Sequence, residues 1–207
     1  MVLRDIIFFI FMDDITFFEP LYVGDTVPED LDFDVFHKGE QSKLSFKDLR
    51  GSWSVLFFYP ADFTFVCPTE LEELANMKSD FDKEGVKIVS MSRDTVFVHK
   101  AWHDQSPAIG KIEFPMGSDP TGEVSETFGV NIFDKGITLR GTFIIDPEGV
   151  IKSMEVNDYA IGRSAKELLR KIRAAKFVSE NGGNVCPASW EPGDDTLKPG
   201  MDLVGKI

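Results

Sequence analysis

The residue best placed to do chemistry is a lone thiol between an apolar run and a proline. Cys67 stands in "FFYPADFTFVCPTELEELA", and the only other cysteine among the 207 residues is Cys186. Pro68 has no N–H to lose and suits a first helical turn, so the stretch predicts Cys67 at the start of a helix. Unpaired backbone N–H groups and the positive end of the helix dipole there favour the thiolate, the nucleophilic form of sulfur. The bland alternative is a buried, inert cysteine. One pair of cysteines cannot build a disulfide-dense scaffold, and in a chain of this size it points to catalysis or metal before structure. Metal is the weaker option. Of His37, His99 and His103, only the pair in "HKAWH" has one-turn spacing, and no CxxC accompanies it. Without zinc, that stretch reads as an amphipathic helix with both histidines facing solvent.

These residues need elements to hold them. "WSVLFFY" and "VKIVSMS" are short apolar runs of strand type, separated by the helical stretch "PTELEELANMKSDFDKEG". A second helix, "VFVHKAWHDQ", and a third, "TGEVSETFGV", follow, the third introduced by Asp119-Pro120 as N-cap and first turn. "GTFIID" and "VIKSMEV" read as strands of a hairpin turning at "PEG". The final helix has a capping-box pattern at Ser164 and Glu167, a stripe of Ala165, Leu168, Leu169, Ile172 and Ala175, and a stop at Asn181-Gly182-Gly183. This order predicts an α/β thioredoxin-like fold, a central mixed sheet with one parallel and one antiparallel half flanked by helices. The tail after Gly183, punctuated by Pro and Gly, predicts an irregular wrap over a surface.

Composition bounds the rest. The chain is 43% hydrophobic and 12% aromatic, enough for one sizeable core, and its formal charge of -13 argues against a nucleic-acid surface. The leader "MVLRDIIFFIFMDD" contains an apolar run, Ile6 to Phe11, far short of the about 20 residues that cross a bilayer. It reads as an extra edge element, or as residues preceding a true start at Met12. The expected division is an N-terminal extension over 1–20, one domain over 21–183 and a tail over 184–207.

"YPADFTFVCPTE" resembles the active-site loop of the peroxiredoxins. The similarity runs from about Val23 to Ile207. "HKAWH", "RKIRAAKFV", "VCPASW" and "DLVGKI" resemble the bacterial alkyl hydroperoxide reductase C branch, while the leader before Leu21 departs from it. The resemblance implies a typical two-cysteine peroxidase with no metal, flavin or haem of its own. Cys67 matches the peroxidatic cysteine, whose thiolate attacks a peroxide oxygen and becomes a sulfenic acid. Thr64 matches the hydroxyl that hydrogen-bonds the peroxide, Pro60 the proline that shields the sulfenic acid, and Arg140 the cation beside the thiolate, with Glu70 orienting it. Each has a plain structural alternative: a turn hydroxyl, a strand terminator, a strand-edge charge and a first-turn carboxylate, respectively.

Cys186 matches the resolving cysteine, which forms a disulfide with Cys67 of a second protomer. The implied assembly is a homodimer, often five dimers in a ring, in which Trp190 either anchors the tail or simply packs. The substrates implied are hydroperoxides, the electron donor a dedicated flavoprotein disulfide reductase or thioredoxin, and the location cytoplasmic. A thioredoxin-type reductase shares the fold but needs a CxxC. A chaperone-like ring would keep its activity without Cys67. Members easily inactivated by peroxide carry a Gly-Gly-Leu-Gly insertion and an added C-terminal helix. "NIFDKGITLR" offers a single glycine and the sequence stops at "DLVGKI", so resistance to over-oxidation is expected.

Overall fold

A computed structural model describes residues 19–206; the expectations for the leader lie outside them. A β-hairpin comes first, β1 (Asp32–His37) and β2 (Glu40–Ser45), turning through Lys38 (φ 52°) and Gly39 (φ 84°). Positive φ at both central residues makes the tight turn whose twist suits paired strands. After the short helix α1 (Phe46–Leu49), β3 (Trp53–Phe58) is buried along its whole length. Its Val55 and Phe57 face one apolar cluster and its Leu56 and Phe58 the other, as period-two alternation between two covered faces requires.

The stretch expected as one helix after β3 is two, α2 (Cys67–Asn76) and α3 (Lys78–Lys83), broken at Met77. The remaining elements are β4 (Val86–Ser92), α4 (Val96–Gln105), β5 (Met116–Ser118), α5 (Glu123–Thr127), the small hairpin β6 (Asn131–Ile132) and β7 (Ile137–Thr138), β8 (Arg140–Ile145), β9 (Ile151–Asn157) and α6 (Ala165–Glu180).

Seven strands form one sheet in the order β2-β1-β5-β4-β3-β8-β9. β3 runs parallel to β4 and β4 to β5, whereas β8 lies antiparallel to β3 and β9 antiparallel to β8. The sheet is therefore mixed, with a parallel centre and antiparallel flanks. One face packs Leu71, Leu74, Phe81, Trp102, Leu169 and Ile172 from the helices; the other packs Phe46, Val124 and Phe128. The parallel arrangement puts the carboxyl end of β3 beside that of β4, and the loop from Tyr59 to Val66 starts there.

Two local expectations are corrected. The N-cap of α5 is Gly122, not Asp119; the Asp119 carboxylate instead accepts the N–H of Val124 at 3.2 Å and of Ser125 at 2.7 Å from outside the turn. His99 does not face solvent, because its helix packs that side against β5 and the loop. Its Nε2 lies 3.0 Å from the Gly117 carbonyl and its Nδ1 2.7 Å from Asp62. His103 is half-buried, stacked edgewise on Phe36. No cluster of residues suited to hold a metal occurs among the described residues.

Candidate active site

Cys67 is the first residue of α2, with Pro68 in the first turn, and its side chain is fully buried. The surrounding charges come from three separate elements. Arg140 opens β8; its Nη1 donates to Cys67 Sγ at 3.4 Å and to Glu70 Oε2 at 2.7 Å, and its Nε donates to the Tyr159 carbonyl at 2.8 Å. Glu70, one turn along α2 from Cys67, is the hub. Its Oε1 accepts from the Arg163 backbone N–H at 2.7 Å and from Arg163 Nε at 2.9 Å.

Arg163 is a member of the site that the motif around Cys67 does not reveal. It stands just before Ser164, the N-cap of α6, and donates to the Gly141 carbonyl and Thr142 hydroxyl while its guanidinium lies 3.5 Å above the Phe57 ring. Burial lowers its pKa from the ordinary guanidinium range, and the hydrogen bond and charge of Glu70 oppose that shift. A cation at a helix N-terminus meets an unfavourable dipole and so calls for an acidic partner, the one signal in the sequence that could mark it.

Both guanidiniums and the Glu70 carboxylate are at most 3% exposed, so a buried group with two positive charges and one negative lies beside the sulfur, which it meets through Arg140. An anion is needed to balance it, since an unpaired buried charge is costly. Cys67 Sγ, the acceptor 3.4 Å from Arg140 Nη1, is the group placed beside that excess of positive charge.

Thr64 donates its hydroxyl to the Ala61 carbonyl at 2.8 Å, which orients the oxygen and leaves its lone pairs to accept. Pro60 is buried at the carboxyl end of β3, and Thr138 of β7 clamps the adjacent Tyr59 carbonyl at 2.9 Å. Arg140 and Glu70 are thus part of an ion cluster at the sulfur, where the plain alternatives had a strand-edge charge and a dipole carboxylate. Thr64 does make the turn contact.

Cys186 is a free thiol in the tail, as Cys67 is at the start of α2, and no bond joins them in the chain. Its sulfur lies 3.9 Å from the Ala174 carbonyl. Burial pushes its pKa up, with nearby Arg170 pulling the other way. It opens on a cavity of about 600 Å³ between β9, α6 and the tail. The tail is held by Trp190, which is buried against Phe177 at 4.9 Å between ring centroids and whose carbonyl accepts from Arg170 at 3.1 Å, and it folds on itself through a bridge between Val185 and Leu197.

Comparison with known proteins fits this arrangement. Residues 23–154 match the model of the AhpC/TSA family, and 174–204 match that of the C-terminal domain of 1-Cys peroxiredoxin. The chain is 54% identical over 160 residues to the alkyl hydroperoxide reductase C of Amphibacillus xylanus, covering 77% of this chain and 85% of that protein. The crystal structure of Enterococcus faecalis AhpC aligns at 45% identity with a TM-score of 0.77, covering 80% of this chain and 98% of that one. A reduced 2-Cys peroxiredoxin of Plasmodium vivax aligns at 32% identity with a TM-score of 0.84, over 88% and 96%. The chain belongs to the AhpC/TSA family: it is a peroxiredoxin, a cysteine-dependent peroxidase on a thioredoxin-like fold.

Proposed function

We propose that the chain reduces hydrogen peroxide and organic hydroperoxides through Cys67. The thiolate attacks the terminal oxygen of the peroxide, an S–O bond forms as the O–O bond breaks, and water or an alcohol leaves once the departing oxygen gains a proton. The sulfur loses two electrons and becomes a sulfenic acid. Arg140 stabilises the charge that develops along the O–O bond, Glu70 and Arg163 fix its position, Thr64 accepts the peroxide proton in a hydrogen bond, and Pro60 keeps water from the product. The observation that carries this reading is the buried sulfur 3.4 Å from an arginine that is itself gripped by a buried glutamate.

Cys186 then attacks the sulfenic acid, forming the disulfide and releasing water. The cavity beside Cys186 leaves room for a loop from a second protomer, which supports a bond between two chains. β9 lies at an edge of the sheet; its first residue, Ile151, bonds to Gly24 and Asp25, while the rest of its outer backbone has no strand partner among the described residues, and Phe63, Phe65 and Phe97 are exposed apolar side chains on the loop and α4. These two faces support a homodimer and its assembly into a decamer.

A dedicated flavoprotein disulfide reductase or thioredoxin supplies two electrons to reopen the disulfide. The domain spans 21–183 with the tail over 184–207 carrying Cys186, and the location is cytoplasmic. No helix among the described residues is long and apolar enough to cross a membrane. The single glycine in "NIFDKGITLR" and a tail that is exposed along most of its length favour rapid release of Cys67, hence resistance to over-oxidation.

Peroxide consumption with a dithiol reductant tests the assignment. It is abolished in Cys67→Ser; unchanged consumption in that variant overturns the reading, and retention of holdase activity alone would favour the chaperone alternative.

A further inference from the structure

The loop that delivers Cys67 is held at both ends. The Arg140–Glu70–Arg163 cluster grips the helix end; the other grip is a buried polar group that the peroxidase chemistry does not use. Tyr59 Oη donates to Asp62 Oδ1 at 2.7 Å, and Asp62 Oδ2 lies 2.7 Å from His99 Nδ1. The Asp62 and His99 side chains are both 0% exposed. Because His99 Nε2 faces the Gly117 carbonyl, an acceptor only, that nitrogen carries a proton, and the short contact on Nδ1 shares another with the carboxyl group. Asp94 Oδ2 completes the grip by accepting the Asp62 backbone N–H at 2.9 Å.

Asp62 is thus tied through its backbone and both side-chain oxygens, in a loop whose next residue is strained. Phe63 has φ 56°, the left-handed region that a side-chain-bearing residue keeps only where its surroundings hold it. Cys67, meanwhile, is fully buried, so no second thiol can line up with its sulfur until this loop opens. A folded loop suits peroxide attack; an opened loop suits disulfide formation.

We propose that Tyr59, Asp62 and His99 are positioning residues that latch the strained loop, and that the strength of this latch sets how the enzyme divides its time between attacking peroxide and presenting the oxidised sulfur to a second thiol. The proposal rests on the reading of Cys67 as the attacking sulfur and Cys186 as its partner.

Two measurements on Tyr59→Phe, Asp62→Asn and His99→Gln test it. The first is the second-order rate constant for oxidation of Cys67, from competition for hydrogen peroxide with a haem peroxidase. The second is the peroxide concentration at which half of Cys67 becomes sulfinic acid during turnover, by mass spectrometry. A loosened latch lowers the first by about tenfold in Asp62→Asn and His99→Gln and about threefold in Tyr59→Phe, one hydrogen bond's worth. It raises the second severalfold, because an opened loop reaches its partner before a second peroxide arrives. A purely structural role reduces the amount of folded enzyme and moves neither quantity for the enzyme that remains folded. Unchanged rate constants, or variants that over-oxidise more readily, overturn the proposal. If Asp62→Asn and His99→Gln do not fold, Tyr59→Phe decides, since it keeps the buried ring and deletes one donor. Wild-type protein that fails to oxidise at Cys67 would instead overturn the site assignment itself.

Discussion

At the scale of residues, the site is a problem in charge. Two buried arginines share one glutamate, so losing any member costs more than losing an exposed ion pair. Arg140→Ala removes the cation 3.4 Å from the sulfur and should slow both iodoacetamide alkylation and peroxide oxidation of Cys67, the latter by about a hundredfold or more. Stopped-flow kinetics checks it, and equal rates in the variant would remove Arg140 from the mechanism. Glu70→Gln strands two buried positive charges and should cost about 3–5 kcal/mol in urea unfolding. Cys67 is legible in the sequence because Pro68 follows it, and a proline in a first turn marks where a helix begins. Arg140 and Glu70 need the resemblance, because nothing local shows that strand β8 meets helix α2. Arg163 carries only the faint mark of a cation before a helix start, and the Asp62–His99 pair carries none, since their partners lie far along the chain and burial of a lone histidine leaves no periodic trace.

At the scale of elements, helix α6 is tied to the turn before β4. Glu84 accepts from Arg173 at 2.8 Å and from Lys176 at 3.1 Å. Burial favours its neutral form, but these two donors and their charges outweigh that and hold its pKa below 4.5. A carboxylate with a lowered folded pKa contributes stability that is fully present above its unfolded value and lost as pH falls through the folded one. Glu84→Gln should therefore lower stability by about 1 kcal/mol at neutral pH. The gap should close as the pH falls through the lowered folded pKa, as paired melts of wild type and variant from neutral to acid pH would show. A gap independent of pH would mean that the lost contribution is packing. Apolar runs are enough to find β3 and β4, and a helical stripe is enough to find α6; α4 is found as a helix, but its buried face includes His99, which the pattern put in solvent. The hairpin of β1 and β2 escapes it because β2 is polar along most of its length, and β5 because three residues are too few to show a period.

At the scale of the whole molecule, the proposed disulfide joins Cys67 of one chain to Cys186 of a second. Peroxide-treated protein should run as a covalent dimer without reductant, and neither Cys67→Ser nor Cys186→Ser should form it; a disulfide-bonded monomer would place the reaction within one protomer. Each half of that bond also has a natural reporter beside it. The Trp102 ring lies 6.0 Å from Phe63 in the cysteine loop, whereas Trp190 is buried in the tail against Phe177. Forming the disulfide withdraws the loop from one indole and shifts the tail that shelters the other, so the protein carries an intrinsic optical record of its own catalytic cycle. Emission should change in two resolvable phases after peroxide is added, the first lost in Trp102→Phe and the second in Trp190→Phe. Stopped-flow fluorescence that retains both phases in either variant would show that loop and tail move together, as one unit.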